Sequence, residues 1–172
     1  MEILRLVRDR GRSLTRRGEQ GRRPRCSLFG VAILLAVTGC EPPPDPELLP
    51  DDRLRAELGL TDRDRVHTVS VRAGVGERAD PDFLEVLVGD LVQFVSADWM
   101  VHEVHFELDS VSAGARAFLE RTMQTASPPL LQQDARFVLT FADAPEGRYP
   151  YRLEGNREEG RGVIVVVARG TR

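Results

Sequence analysis

The chain has 172 residues, 41% hydrophobic and 30% charged, which allows one small domain with a single modest core beside an N-terminal leader. It contains no lysine, and its charge is split: residues 1–25 carry nine arginines against three acids, whereas residues 40–172 carry 15 arginines against 24 acids. The acidic major part excludes nucleic acid as a partner, because phosphate contacts require an excess of cationic side chains.

The first element is the leader. After the arginine-rich start, Leu28 to Val37 form an apolar run too short to span a bilayer as a helix but long enough for a signal-peptide core. It ends in Val37-Thr38-Gly39-Cys40, which resembles a bacterial lipobox. Small residues there fit a protease cleft, and the thiol of Cys40 then carries the acyl anchor. The expectation is a lipoprotein signal peptide over 1–39, lipidation at Cys40, and a cell-envelope location, periplasmic or surface-facing, held to the membrane by the lipid.

Residues 40–66 read as an acidic, proline-rich tether. EPPPDPELLPDD, residues 41–52, holds too many prolines and acids to build a core and favours an extended, solvated chain. Residues 53–66 suggest a helical turn or two with Leu54 and Leu58 on one side. The two cysteines are Cys26 and Cys40, so the expected folded domain, 67–168, has no disulfide, thiol nucleophile or thiolate ligand.

That domain reads as all-β. Period-two alternation marks strands at 67–73, 83–88, 91–97, 103–108, 136–142 and 147–153. Gly89-Asp90 suggests a two-residue hairpin between the second and third of these. Residues 113–125 switch to helical spacing, with Ala115, Phe118, Leu119, Thr122 and Met123 in phase, and predict one short inserted helix. The apolar run 162–168 predicts a last strand buried on both sides. Seven short strands with polar turns imply a small antiparallel β-sandwich.

Three stretches in order, VGDLVQFVSADWMVHEVHF (88–106), FVLTFADAPEGRYPYRLEGN (137–156) and GRGVIVVV (160–167), resemble the plastocyanin-like cupredoxins, the blue-copper family. The resemblance implies a cupredoxin-like Greek-key sandwich of blue-copper electron-carrier ancestry. It also places the family's metal ligands. Gly147, Tyr149 and Tyr151 match the approach to the ligand loop. His102 matches the first imidazole, but Leu153 falls on the cysteine, Asn156 on the second histidine and Arg161 on the axial methionine.

Three of four type-1 ligands are therefore replaced, including the soft thiolate. Leu153 is expected to fill the vacated space, Trp99 to cap it, and Arg161 to reach Glu154, Glu158 or Glu159. A lone histidine such as His102 most often stands partly exposed and bonds a backbone group. No enzyme signature accompanies it: Ser96, Ser110, Ser112 and Ser127 lie in no nucleophile motif, and the histidines lack zinc-protease spacing. The expected function is a non-catalytic binding or structural module of the envelope, with an envelope protein or small ligand as partner and no cofactor. The alternative is copper handling through His102 with His105, Met100 or Met123. In a strand, His102 and His105 point to opposite faces, which disfavours their joint chelation.

Overall fold

The computed structural model describes residues 43–170; the leader and Cys40 lie outside the described residues. A single 3-10 turn at Pro46–Leu48 precedes helix α1, Asp52–Leu58. Asp51 caps α1, its carboxylate accepting the Leu54 N–H at 2.9 Å, and Gly59 ends it at φ 68°. Leu54 is buried against Val66 and Leu91, with Leu60 and Val138 packed beside them. Leu58 is half exposed, so Leu60, beyond the Gly59 turn, supplies the second apolar contact expected of Leu58.

The strands are β1 (Val66–Ala73), β2 (Glu77–Asp80), β3 (Phe83–Leu87), β4 (Leu91–Ser96), β5 (His102–Phe106), β6 (Arg136–Thr140), β7 (Gly147–Gly155) and β8 (Gly160–Val167), with helix α2 (Ala113–Arg121) between β5 and β6. They form two four-stranded sheets, ordered β2-β1-β4-β6 and β3-β8-β7-β5, an all-β sandwich. The alternation places its inner faces as expected. Val69, Val71, Val92, Phe94, Val104, Phe106, Leu139, Tyr149, Tyr151, Leu153, Ile164 and Val166 all enter one core.

Four local expectations change. An eighth strand, β2, pairs antiparallel with β1; with three charged residues in four, ERAD carries no apolar alternation to betray it. Pairing is mixed, because β1 runs parallel to β4 and β3 parallel to β8. Gly89-Asp90 does turn the chain, with the Asp90 N–H donating to Leu87 O at 2.9 Å, but β3 and β4 belong to different sheets and form no hairpin. A turn fixes only its own dihedral angles; the partners β8 and β1 come from distant sequence. Finally, β8 is buried on one face only: Ile164 and Val166 point inward, whereas Val163, Val165 and Val167 are half-buried.

Helix α2 is shorter than its apolar phase. Ser112 caps its start, and Ala115, Phe118 and Leu119 are buried. Thr122 closes it by donating its hydroxyl to Phe118 O at 2.8 Å, and Met123 then adopts φ 55° and is 86% exposed. The following segment lies along the free edge of β5. Phe106 N donates to Thr125 O, Ser127 N to Val104 O, and Leu130 N to His102 O, covering an edge that would otherwise offer unpaired backbone groups.

Aromatic rings fill the centre. Phe94 meets Tyr151 edge-on at 5.0 Å, and Phe141 meets Tyr149 edge-on at 5.4 Å. Burial pushes the Tyr149 phenol up to about 12 and that of Tyr151 higher still. These are the only two tyrosines of the chain. In an alkaline titration the native protein is expected to show little tyrosinate absorbance at about pH 10, where a free phenol is half ionised. Absorbance rising there while far-UV dichroism stays native would contradict the buried placement.

Candidate functional site: a histidine between two carboxylates

His102 opens β5, facing inward, and its ring is wholly buried. Its Nδ1 lies 2.6 Å from Glu77 Oε2 and its Nε2 lies 2.8 Å from Asp98 Oδ1. Glu77 is the first residue of β2 and is buried, its backbone N–H donating to Glu158 O at 2.8 Å. Asp98 sits in the loop between β4 and β5. Its Oδ2 accepts the Ala73 N–H and its Oδ1 the Met100 N–H, each at 2.8 Å. Three separate segments thus converge on one imidazole.

Two glycines make room for Glu77. A Cβ on Gly155 would lie 2.3 Å from Glu77 Oε1 and 2.6 Å from Val101 O. One on Gly160 would lie 2.1 Å from the Glu77 carbonyl oxygen. Only glycine lets β7 and β8 approach β2 this closely. Glu77 Oε1 is buried and has no hydrogen-bond partner among the described residues. Burial pushes the Asp98 carboxyl up, but the Ala73 and Met100 N–H groups and His102 outweigh it and hold Asp98 below the ordinary carboxylate range.

The other sequence candidates are scattered. His105 faces outward, as the strand geometry requires, half-buried with Nε2 3.1 Å from Glu103 Oε2 and 3.8 Å from Glu154 Oε2. Met100 is half-buried in the β4–β5 loop, and Met123 stands exposed beyond α2. Leu153 is fully buried in the core, opposite Val104 on β5. Asn156 is exposed just past β7.

Three expectations are corrected here. His102 is not a partly exposed residue bonding backbone; it is buried between side-chain carboxylates. Trp99 does not cap the apolar space, being 74% exposed: Asp98 holds the Met100 N–H across it in a tight turn that leaves the indole outside. Arg161 does not reach the three loop glutamates; its nearest carboxylate is Glu107, 3.9 Å away just past the end of β5.

Glu77 and Asp98 escaped the sequence reading. Glu77 is 25 residues from His102, so no spacing rule links them. Asp98 lies only four residues away, but across a loop, where neither strand nor helix periodicity applies.

The residues do not fit a type-1 copper ion. Such a site needs a thiolate and two imidazole nitrogens with free lone pairs. Residues 43–170 contain no cysteine, so none of them can supply the thiolate. Both nitrogens of His102 already face carboxylate oxygens, on opposite sides of the ring. Among the described residues, no group of three or more histidine, cysteine, aspartate or glutamate side chains is arranged to hold a metal ion.

No protein-family model matches the chain, and no curated protein matches it in sequence. Among solved structures it is similar to the reduced Cu(I) form of an amicyanin variant, at 25% identity over 59% of this chain and 82% of that one, with a TM-score of 0.41. An oxidized amicyanin variant matches at 25% identity over 71% and 95% of the two chains, with a TM-score of 0.42. A purple cupredoxin from Nitrosopumilus maritimus matches at 20% identity over 59% and 99%, with a TM-score of 0.40. The fold is a small all-β sandwich of two four-stranded sheets.

Proposed function

We propose that this protein is a lipid-anchored, cupredoxin-like module of the bacterial cell envelope that acts by binding or by structural support, without catalysis and without type-1 electron transfer. The observation that carries the reading is the occupied imidazole: His102 has a carboxylate at each nitrogen, and the position matched to the thiolate is a buried leucine. The lipid anchor is supported by the order of charge, apolar run, small residues and Cys40 in the leader. Among the described residues no helix is long and apolar enough to cross a membrane.

Copper titration of the full chain tests the reading. The protein is expected to be colourless as purified, with neither Cu(I) nor Cu(II) bound at submicromolar concentration. Intense blue, redox-active protein would overturn it. Submicromolar binding that His102→Ala abolishes would instead favour copper handling. For the anchor, Cys40→Ser is expected to abolish incorporation of labelled fatty acid and release the protein from the membrane fraction.

A further inference from the structure

We propose that His102 is an imidazolium clasp, with one ring proton donated to Glu77 and the other to Asp98, which joins the two sheets at one pole of the sandwich. The inference goes beyond the absence of copper, since it assigns a positive role and a charge state to the residues that stand there.

An ionised carboxylate can only accept a hydrogen bond, so an imidazole with a carboxylate oxygen at each nitrogen must donate from both. A neutral ring would place a lone pair against a carboxylate oxygen at 2.6 or 2.8 Å unless that carboxyl carried the proton. Asp98 is a poor choice to carry it, because two backbone N–H groups already stabilise its anion. The other place for the proton is Glu77 Oε2, 2.6 Å from Nδ1, and the clasp assigns that proton to the ring.

Two carboxylates and one imidazolium leave a single negative charge. The surrounding groups suit it. Arg72, Arg78 and Arg161 line the recess that Glu77 shares, with Asp80 and Asp82 at the same recess. The clasp also spans the sandwich. Glu77 belongs to the sheet of β2-β1-β4-β6, and His102 to that of β3-β8-β7-β5. Through the Ala73 and Met100 N–H groups, Asp98 fixes the end of β1 and the β4–β5 loop to the same ring. Charge-assisted bonds of this kind are the strong ones.

Nitrogen-detected NMR of the full chain at neutral pH tests the charge state. Both His102 ring nitrogens are expected to carry a bonded proton, with the two N–H groups protected from exchange. A single ring N–H would overturn the clasp while leaving the copper-free reading intact, and the copper titration fails independently of it. Coupling is the second measurement. Glu77→Gln and His102→Gln are each expected to raise the unfolding equilibrium constant at least tenfold, and the double variant well below the product of the two. Effects that simply multiply would overturn the proposal.

Discussion

Replacing Asp90 with alanine is expected to destabilise the protein by about 1–3 kcal/mol, the range for leaving buried donors without their acceptor. The Asp90 side chain is fully buried where β3 passes into β4. One oxygen accepts from the Leu87 N–H at 3.1 Å and from His67 Nε2 at 2.9 Å; the other accepts from Arg169 Nη2 at 2.9 Å. Arg65 Nε approaches to 3.8 Å. The backbone carbonyl of Asp90 accepts from the Phe141 N–H at 2.9 Å. Alanine would leave a buried imidazole, an amide and a guanidinium without their common acceptor at the point where the chain changes sheets.

The same carboxylate predicts acid sensitivity. Burial pushes Asp90 up, but His67, the Leu87 N–H and Arg65 outweigh it, so the folded protein holds the carboxyl below its ordinary value. A group depressed in the folded state contributes stability above its unfolded value, about 3.9, and loses it as pH falls through the folded one. Asp98 acts in the same direction and the same window. Urea midpoints should therefore drop from neutral pH to below about pH 4, and drop less in Asp90→Asn, which carries no titrating carboxyl there. An equal drop in both proteins would show that Asp90 is not held as an anion.

Phe94→Ala is the second large effect, with about 3–5 kcal/mol lost. Phe94 is fully buried on the inner face of β4, edge-on to Tyr151 and stacked at 6.5 Å on Phe137. Its ring bridges the two sheets, so truncation removes buried apolar area and leaves a cavity that strands anchored on both sides cannot close. Phe94→Leu should cost less, because much of the volume remains. The check is chemical denaturation at neutral pH with an unchanged slope. A loss of less than about 1 kcal/mol for alanine would contradict the packing.

Both sites illustrate what local patterning can reveal. Phe94 was legible: alternation in LVQFVS puts it on the face shared with Val92 and Ser96, and that face is buried. Asp90 was legible only as a turn residue. Its carboxylate gains its partners from His67, 23 residues earlier, and Arg169, 79 residues later. The candidate site divides in the same way. His102 and Leu153 were singled out by their positions in a motif, whereas Glu77 lay in an unrecognised strand and Asp98 in a loop.

The residue order alone determined which side chains could be inward-facing, where α2 would start, and that no thiolate exists between residues 43 and 170. These follow from dihedral geometry, capping chemistry and composition, which act over a few residues or over none. Tertiary structure decided which strands became neighbours, and with it the partners of His102 and Asp90. Hydrogen bonds between distant segments leave no periodic trace, because their geometry exists only once two sheets have closed around one core.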